Sequence, residues 1–599
     1  MQTIATIFLD CVTQHPDTIA AWTPDPGPIE DDQFFLSTLE PVTTEGPQGW
    51  IPATYGQIHL QVAGIAQRLH SLGVSKGTPV AIVANTSDRW TLVDMAIQCL
   101  GGITVGIYPT LLPEQISTQL EHSESAILLV EDVAQAQRLL PHTEDLFDLQ
   151  HIFSLYPNQV VPQLTPARPD QQWLKQRIEE VRPEDIATYI YTSGTTGSPK
   201  AVVLRHSNFS AIIDASRERM GLRPGEQSIV FLPLSHVLQR FTQYRGLVDQ
   251  IVGWFAPSIN ELPATLQIAR PEVMATVPRM MEKIRAKVEA QAQERGQEAH
   301  TILNWAIAVG HAVNDRTWSK QKVGWRLAAQ HRLAERLVFS KIKAGLGGRL
   351  RLLICGGSAL DPELALWFEA IGISVREGWG LSETSAPATA NGTHDFRFGT
   401  VGKPLNGTDV RVAEDGELLV RGPGVFGGYL KDPQATQEAF TESGWFKTGD
   451  LGVIEDGFVR IVGRKKEIIV TAGGKNIAPT PIEQALEQGL VGQAVVIGDD
   501  KPYLVALLAP DPEVFQSAAN ANQWPGSLSD WVQNPAVIDQ INDHVNAVNT
   551  RFPKHETIKK WFLLPSPLGE NTGELTPTMK LKRRFINDKF SEEITKLYR

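Results

Sequence analysis

The chain has 599 residues, of which 42% are hydrophobic and 20% charged, and its net charge is -12. This length exceeds what one hydrophobic core normally serves, so we expect two or more domains. The negative charge argues against a general nucleic-acid binder, which is usually basic. The three cysteines, Cys11, Cys99 and Cys355, are too widely spaced for a metal-ligand pair or a disulfide framework. A reducing compartment is therefore expected.

The N-terminus has no basic segment followed by an apolar run, so no signal peptide is expected. The most apolar stretch, at 92–108, is interrupted by Asp94, Gln98 and a Gly-Gly pair. Because spanning a bilayer takes about 20 apolar residues, this stretch predicts a core helix followed by a buried strand. We expect a cytoplasmic protein with at most peripheral contact on the inner face of a membrane.

The first half of the chain alternates apolar runs with amphipathic stretches. Strand-like runs occur at 79–85, 103–110 and 126–133. Such runs separated by helical patterns predict parallel sheets with crossover helices. The tandem repeats of a solenoid are not found.

Between 280 and 346 the composition changes, and apolar residues recur at helical spacing, so we expect several helices. Basic residues gather from 316 to 351: Arg316, Lys320, Lys322, Arg326, Arg332, Arg336, Lys341, Lys343, Arg349 and Arg351. The only acidic residue between those ends is Glu335. This patch is either a solvated helical face or a contact for a membrane surface, an anionic carrier or the phosphates of coenzyme A.

After residue 402 the chain is rich in short β-like runs and glycine turns. A smaller unit follows after Arg464. We therefore expect an N-terminal domain at 1–463, with a helical insert at about 280–346, and a C-terminal domain at 464–599.

The densest group of small polar residues is the segment YTSGTTGSPK at 191–200, which follows the strand-like run ATYIY. Glycines let backbone N–H groups point inward, and hydroxyls add further donors for phosphate oxygens. Lys200 adds a positive charge at the end of the segment. The segment is not a Walker A loop, but its composition favours phosphate binding over a plain surface turn.

Other motifs are weaker. The glycines at 422–427 fit G-x-G-x-x-G, but the following GGYLKDP does not open a helix, so a structural loop is favoured over a dinucleotide site. Ser235 and His236 are adjacent, which is not the geometry of a hydrolytic triad, and no G-x-S-x-G elbow is present. No H-E-x-x-H or Cys/His cluster indicates zinc.

Three further segments carry possible site chemistry. In EGWGLSET at 377–384, a ring flanked by glycines can lie against a flat base, and Glu383 can hold Mg²⁺. In WFKTGD at 445–450, Asp450 can accept hydrogen bonds from vicinal hydroxyls. In GELTPTMKLKRR at 573–584, a lysine on a mobile loop can reach a developing negative charge.

Together and in this order, these segments resemble the adenylate-forming superfamily of acyl-CoA synthetases, luciferases and peptide-synthetase adenylation domains. The resemblance rests on YTSGTTGSPK, FLPLSHVLQR, GGSAL, EGWGLSET, TGD, GRKKEIIVTAGGKNIAP and TPTMKLKRR, spread over about 180–585. It implies an α/β fold, α+β overall. The large N-terminal domain would contain α/β-layered sheets and a β-barrel-like part, and the small C-terminal α+β domain would be mobile.

The resemblance also implies roles for single residues. The ATP phosphates would be held by Thr192, Ser193, Gly194, Thr195, Thr196, Gly197 and Lys200. Mg²⁺ would be bound by Glu383 and Thr192. Adenine would lie between Gly357, Ser358, Glu377, Gly378, Trp379, Gly380, Leu381 and Ser382, with Trp379 where many members have Tyr.

Further roles follow from the same resemblance. Asp450 and Arg464 would hold the ribose, and Lys466 would be the hinge, where many relatives have Asp. Lys580 would be the catalytic lysine of adenylation, together with Glu383 and with His236 of the acyl-site motif. The thiol would approach near Gly473, Gly474 and Lys475.

The implied reaction is ATP- and Mg²⁺-dependent activation of a fatty acid to acyl-AMP, followed by transfer to a thiol. FLPLSHVLQR, VPRMMEKI and the helical insert most resemble long-chain acyl-CoA and acyl-carrier-protein synthetases. Coenzyme A is the first expectation for the acceptor, and the phosphopantetheine thiol of acyl carrier protein is the alternative, because that protein is acidic and the 316–351 patch is basic. A non-catalytic lipid-binding relative is a more distant alternative.

Overall fold

The structure is a computed structural model that describes residues 2–25, 32, 34, 46–192, 200–576 and 579–599. It has the predicted mixed α/β fold, with a large N-terminal domain and a smaller C-terminal domain. The strands are, in chain order, β1 Ile19–Pro24, β2 Trp50–Thr54, β3 Pro79–Val83, β4 Ile103–Ile107, β5 Ile127–Val130, β6 His151–Ser154, β7 Ile186–Thr192, β8 Lys200–Arg205, β9 Gln227–Val230, β10 Val252–Phe255, β11 Val273–Thr276, β12 Leu352–Cys355, β13 Ser374–Leu381, β14 Ala386–Ala390, β15 Lys403–Pro404, β16 Asp409–Val412, β17 Glu417–Arg421, β18 Phe446–Glu455, β19 Phe458–Arg464, β20 Ile469–Val470, β21 Asn476–Ile477, β22 Val491–Ile497, β23 Leu504–Pro510 and β24 Ile558–Leu563.

Helices connect these strands and cover the sheets. They are α1 Ile4–Gln14, α2 Tyr55–Ser71, α3 Asp88–Cys99, α4 Pro113–Ser123, α5 Val133–Leu139, α6 Gln171–Glu180, α7 His206–Met220, α8 Val237–Asp249, α9 Leu262–Ala269, α10 Pro278–Glu294, α11 Gln297–Trp318, α12 Trp325–Ala334, α13 Ser340–Gly345, α14 Pro362–Ala370, α15 Pro433–Ala439, α16 Pro479–Leu486, α17 Pro512–Asn522, α18 Leu528–Trp531, α19 Pro535–Asn549, α20 Arg583–Lys589 and α21 Ser591–Leu597. The π-helical turn Glu335–Phe339 joins α12 to α13, and 3-10 turns lie at Leu140–His142, Ser382–Thr384 and Lys465–Glu467.

The first sheet contains the apolar runs predicted to be strands. Its order is β6-β5-β3-β4-β7-β8, and every pair is parallel except β7 with β8. Nearly all residues of β3, β4 and β5 are buried. Continuous apolar strands of this kind suit a parallel sheet with both faces covered, so the prediction from the sequence is confirmed.

Two further sheets complete the α/β layers of the N-terminal domain. Their orders are β2-β1-β10-β9 and β11-β12-β13-β14-β15. The β-barrel-like part is an antiparallel sheet of order β16-β17-β18-β19. The backbone of Val459 extends its β19 edge by exchanging hydrogen bonds with Val401 and Gly402.

Residues from 469 onward have a hydrophobic core of their own. Helices α16 and α19 pack on the sheet β22-β23-β24 through Leu486, Val496, Leu508 and Val545, all buried. β20 and β21 form a separate two-stranded hairpin-like sheet. The C-terminal part therefore has the apolar interior that an independent domain needs.

The insert at 280–346 contains α10, α11, α12 and α13, so the prediction of several helices is confirmed. The apolar stretch at 92–108 is also as expected, because it contains the end of α3 and the buried strand β4. Within the described part of the chain, no helix is both long and apolar enough to cross a bilayer.

A buried ionic network joins the first sheet to α8. The Arg240 guanidinium donates to the Asp94 carboxylate at 2.7 Å and to the Thr188 hydroxyl at 2.9 Å. The hydroxyls of Tyr244 and Thr104 each donate to Asp94 at 2.7 Å. Both charged side chains are almost entirely buried. A buried charge is tolerated only when it is paired and hydrogen-bonded, so this network fixes α8 relative to β7.

The glycine run at 422–427 forms a structural loop, as the sequence favours. A Cβ atom on Gly424 would lie 2.4 Å from the Ile212 side chain, so only glycine fits there. The Gly424 carbonyl accepts a hydrogen bond from the Ser385 hydroxyl at 2.8 Å, and the Phe426 N–H donates to the Glu383 carbonyl at 2.8 Å. The loop thus supports the backbone of Glu383.

Asp94→Asn should lower the free energy of unfolding of the N-terminal domain by about 3 kcal/mol, because the buried Arg240 charge loses its counter-ion. Asp409→Asn is the matched control, since it breaks an exposed pair with Arg421 at 3.1 Å and should cost less than about 1 kcal/mol. Urea unfolding followed by tryptophan fluorescence measures both. If Asp94→Asn and Asp409→Asn lowered the free energy of unfolding equally, the buried pair of Asp94 and Arg240 would not have the structural role described.

Candidate active site

The segments expected to bind adenine meet at one edge of the sheet β11-β12-β13-β14-β15. β12 and β13 are parallel neighbours with Cys355 opposite Glu377, so the loop that follows β12 lies beside the end of β13. Gly357, with φ of +90°, and Ser358 are exposed at this edge. Burial raises the pKa of Glu377 to about 8, so it keeps its proton at neutral pH. Ligands of α/β sheets bind at such carboxyl-terminal edges.

The rest of the stretch, Gly378, Gly380, Leu381 and Ser382, continues from β13 into the following 3-10 turn. Gly380 packs so closely that a Cβ atom would lie 1.8 Å from the Ala386 carbonyl oxygen. The absence of a side chain at this position therefore lets β13 and β14 approach at the site edge.

Asp450 is held by two donors from different elements. The Trp379 indole N–H donates to its Oδ2 at 2.8 Å, and Arg464 Nε lies 3.0 Å from its Oδ1. Burial raises the pKa of Asp450, while Arg464 and Trp379 oppose that shift. Each carboxylate oxygen has two lone pairs, so both oxygens can still accept a hydrogen bond from a ligand.

Glu383 lies in the 3-10 turn after β13, and Tyr429 is its hydrogen-bond partner. The Tyr429 hydroxyl donates to Glu383 Oε1 at 2.9 Å. The Tyr429 ring centroid lies 5.0 Å from Lys200 Nζ. Burial raises the pKa of Glu383, and Tyr429, Arg464 and Lys580 act against it. Tyr429 thus joins the candidate metal ligand to the lysine of the candidate phosphate segment.

The two ends of the phosphate segment lie side by side. Thr192 ends β7 and pairs with Lys200 at the start of β8. Ser193, Gly194, Thr195, Thr196 and Gly197 lie outside the described residues. The β7–β8 pair therefore brings the two ends of the segment together beside Tyr429.

His236 is the N-cap of α8. Its Nδ1 accepts a hydrogen bond from the Leu238 N–H at 3.2 Å. Burial lowers the pKa of His236 to about 4, and the charge of Lys580 adds to that shift. The imidazole is therefore neutral at pH 7. Because Nδ1 accepts, the proton lies on Nε2, which remains available as a donor.

Lys580 reaches these groups from the C-terminal domain. The pKa of Lys580 is lowered, mainly because the surrounding protein excludes water and next because Arg464 is positively charged. The carboxylates of Asp450, Glu383 and Glu467 act in the opposite direction. The side chain keeps contact with solvent in the cleft between the domains. Its loop is closed by hydrogen bonds from the Thr576 N–H to the Lys580 carbonyl at 2.9 Å and from the Lys580 N–H to the Thr576 hydroxyl at 3.0 Å.

Arg583 anchors the Lys580 loop. Its guanidinium donates to both carboxylate oxygens of Glu483 on α16, at 2.7 and 2.6 Å, and lies 3.5 Å from Glu467. The two carboxylates raise the pKa of Arg583 against the effect of burial. A bidentate pair of this kind restrains geometry as well as charge. The start of α20 is thus tied to α16 and to the turn that contains Lys466.

The residues expected near the thiol lie on the protein surface. Gly473, Gly474 and Lys475 form an exposed loop between β20 and β21. The loop is stabilised by hydrogen bonds between Thr471 and Lys475. Lys466 is exposed in the 3-10 turn after β19.

The donor set suits Mg²⁺ only if substrate phosphates complete it. No group of three or more His, Cys, Asp or Glu side chains that could hold a metal occurs among the described residues. Mg²⁺ is commonly held by one or two carboxylates together with phosphate oxygens and water. Glu383, which contacts Tyr429 beside Lys200, fits that pattern.

A largely apolar cavity of about 70 Å³ lies between α8 and strands β9, β10 and β11. Gln239, Thr242 and Gly246 line it from α8, while Val230 and Met274 line it from the strands. His236 caps the N-terminus of α8, and residues further along the same helix line the cavity. Its apolar wall suits a hydrocarbon group.

Two functional contacts were not predicted from the sequence. Tyr429 was assigned to a structural loop, and Arg583 was only part of a basic motif. The run Gly-Gly-Tyr-Leu-Lys-Asp at 427–432 contains no spacing rule that indicates Tyr429. For Arg583, its position three residues after Lys580 is the signal that could have been used.

Known protein families and proteins are similar to the chain over most of its length. The chain matches the AMP-binding enzyme family over residues 38–430 and the AMP-binding enzyme C-terminal domain over 466–599. It is 39% identical to the long-chain-fatty-acid–CoA ligase FadD15 of Mycobacterium tuberculosis, over 92% of each chain. It is 30% identical to the long-chain-fatty-acid–CoA ligase ACSBG2 of Homo sapiens, over 95% of this chain and 92% of that protein.

Solved structures share the fold. The anthranilate CoA ligase AuaEII, in complex with anthranoyl-AMP, superposes with a TM-score of 0.72 at 18% identity, covering 99% of this chain and 98% of that one. The adenylation domain of a carboxylate reductase from Mycobacterium chelonae gives 0.73 at 18% identity, covering 100% and 91%.

Tyr429→Phe should lower acid-dependent pyrophosphate release about tenfold, because loss of one hydrogen bond to a charged group costs roughly 1.5 kcal/mol. It should also raise the Mg²⁺ concentration needed for half-maximal rate, since Glu383 loses its positioning donor. Tyr503→Phe is the control, because that hydroxyl donates to the Leu597 carbonyl in the C-terminal domain. If Tyr429→Phe needed the same Mg²⁺ concentration for half-maximal rate as the wild type, Tyr429 would not position Glu383 for Mg²⁺.

Proposed function

The chain belongs to the AMP-binding enzyme family, of the fatty acyl-CoA synthetase type, and we propose that it activates a long-chain fatty acid with ATP and transfers the acyl group to coenzyme A. The main supporting observation is the convergence of Lys580 with Glu383, Asp450 and Arg464 in one cleft. The names of the relatives support the acid and the thiol, since two of them are long-chain-fatty-acid–CoA ligases.

In the first step, a carboxylate oxygen of the acid attacks the α-phosphorus of ATP. The bond from that phosphorus to the oxygen bridging to the β-phosphate breaks, and pyrophosphate leaves with the electron pair. Lys580 stabilises the negative charge that spreads over the α-phosphate oxygens. The mixed anhydride that forms has an electrophilic acyl carbon and AMP as its leaving group.

The adenosine part of ATP would bind at the edge formed by the ends of β12 and β13. Adenine would lie between the Gly357–Ser358 turn and the 377–382 stretch, and Asp450 would accept hydrogen bonds from the ribose hydroxyls. Arg464, 3.0 Å away, opposes the rise in the pKa of Asp450 that burial causes and so favours the ionised form, whose oxygens are acceptors. The protein thereby positions the α-phosphate next to Lys580.

The phosphate end would be held by Thr192, Lys200 and the loop between them. Glu383 and Thr192 would hold Mg²⁺, which supplies Lewis-acid stabilisation of the phosphate oxygens when it is bound. Tyr429 orients Glu383 at 2.9 Å. His236, neutral and protonated at Nε2, would donate a hydrogen bond to the substrate carboxylate and orient it.

The acid's hydrocarbon chain would enter the cavity under α8. Its apolar wall and its position on the helix that begins at His236 support this. The cavity is small, so a long chain requires side chains such as Thr242 and Met274 to move. The enzyme's preference for chain length would depend on how far these side chains move.

In the second step, the thiol loses its proton to solvent, its sulfur attacks the acyl carbon, and AMP leaves with the electron pair of the broken acyl–oxygen bond. The thiol needs the space around Lys580, so we propose that the C-terminal domain, 464–599, rotates about Lys466 relative to 1–463. Lys466 lies in an exposed turn, which suits a hinge. The rotation would bring Gly473, Gly474 and Lys475 towards the acyl group.

The proposal also specifies which thiol accepts the acyl group. Coenzyme A is supported by the named relatives, and the phosphopantetheine thiol of acyl carrier protein is the alternative. The intact cluster around Lys580 argues against a non-catalytic lipid-binding protein. Mass spectrometry of thioester products, with acids from short to long and each acceptor offered separately, tests both parts. We expect acyl-CoA from long-chain acids, whereas thioester formed only on acyl carrier protein would replace coenzyme A by the alternative.

Lys580→Ala should reduce adenylation at least a hundredfold but leave thioester formation from a pre-made acyl-AMP within about threefold, because Lys580 acts only on the first transition state. Lys582→Ala, two residues on and exposed, is the control and should retain both half-reactions. Equal loss of both half-reactions in Lys580→Ala would contradict the rotation of the C-terminal domain.

A further inference from the structure

The helical insert presents a side that the proposed reaction does not use. α12, the π-helical turn and α13 form one continuous helix over residues 325–345. Its inner side is anchored in the second hydrophobic core by buried Ala334 and Phe339, with Leu327, Val338 and Ile342 packed against them. The orientation of the helix is therefore fixed, and so is the set of side chains on its outer side.

That outer side exposes large apolar residues. Trp325 is 77% exposed, Leu333 50% and Leu337 40%. On a helix with 3.6 residues per turn, Trp325, Leu333 and Leu337 are spread over about a third of the circumference, so they form a broad stripe on the outer side. Single exposed apolar residues are common on soluble proteins, but a row of three on one helix indicates a binding surface.

Arginines flank the stripe without a carboxylate partner. Arg326, Arg332 and Arg336 are exposed, and none forms an ion pair with any of the described residues. The Arg326 guanidinium lies 5.3 Å from the centroid of the Trp325 ring. In a protein of net charge -12, three neighbouring unpaired arginines form a local positive field.

Three further members of the basic patch are paired within the protein. Lys343 pairs with Glu335 at 2.7 Å, the only acidic residue within the patch. Arg351 pairs with Glu226 at 2.7 Å, and Arg349 pairs with Glu272. Arg316, Lys320, Lys322 and Lys341 form no ion pair with a described residue either, so the unpaired positive charge extends beyond the three arginines beside Trp325.

We propose that this side, named here the Trp325 face, docks the protein on an anionic lipid surface. Trp325, Leu333 and Leu337 would enter the boundary between headgroups and acyl chains. Arg326, Arg332 and Arg336 would contact lipid phosphates. Aromatic and aliphatic side chains between cationic ones are typical of helices that lie in a membrane interface.

Two observations favour lipid over an acidic protein. The stripe runs along a helix that projects its side chains outward, which suits insertion into a flat apolar phase. The proposed substrate, a long-chain fatty acid, dissolves in that phase, an argument that rests on the proposed function. Binding of the face to vesicles does not require catalysis, so the two proposals can fail separately.

Flotation with vesicles measures the binding directly. The full-length protein should bind vesicles of phosphatidylcholine with 30% phosphatidylglycerol at least about tenfold better than vesicles of phosphatidylcholine alone, and less well as salt increases. Arg326→Glu with Arg332→Glu and Arg336→Glu should reduce binding at least about tenfold. Trp325→Ala with Leu333→Ala and Leu337→Ala should do the same at constant charge.

Matched controls exclude general effects of charge and hydrophobicity. Lys175→Glu with Lys559→Glu and Lys596→Glu makes the same change in net charge at exposed sites elsewhere, and Phe147→Ala removes a side chain that is 98% exposed. Both should change vesicle binding less than about twofold. Circular dichroism and thioester formation in the absence of vesicles check that each variant is folded and active.

Unchanged vesicle binding by the arginine variant would overturn the proposal, as would failure of the wild type to bind anionic vesicles. If the arginine variant lost binding to purified acyl carrier protein while keeping vesicle binding, the face would be a protein-docking surface instead. Vesicle binding without thioester formation from any fatty acid would refute the proposed function and leave the docking proposal intact.

Discussion

The ion pair between Arg240 and Asp94 connects the two halves of the candidate site. Arg240 lies one turn after His236 on α8, and through Thr188 it contacts β7 four residues before Thr192. His236 and Thr192, which we propose to contact the acid and the phosphates, are therefore set relative to each other through the buried Arg240. Because a buried charge without its partner is costly, α8 cannot shift along the sheet without a large loss of stability.

A second constraint operates between the domains. Lys580 enters the cleft on a loop that Arg583 ties to Glu483 and Glu467. Both carboxylates belong to the chain after β19, so the loop would move with the C-terminal domain as one body. Lys465 pairs with Glu417 at 2.9 Å on the other side of the hinge turn. The N-terminal edge of the cleft is thus fixed, whereas we propose that Lys580 moves with the C-terminal domain.

Much of the fold could be predicted from the sequence because its signals are local. Continuous apolar runs such as that of β3 indicate buried parallel strands, and the composition of 280–346 indicates helices. The site contacts are different, since Tyr429 and Glu383 are separated by 46 residues and Arg583 and Glu483 by 100. Local patterns carry no information on such pairs. The sequence likewise could not separate Lys343, paired with Glu335, from the unpaired arginines of the Trp325 face.

The central chemical step that we propose for the cleft around Lys580 is the joining of a carboxylic acid to AMP. Exchange of labelled pyrophosphate into ATP measures this step alone, because it requires reversal of adenylation and no thiol. We predict exchange that depends on both Mg²⁺ and a long-chain fatty acid. Exchange that proceeds without any acid, or no exchange with acids from short to long, would contradict the account.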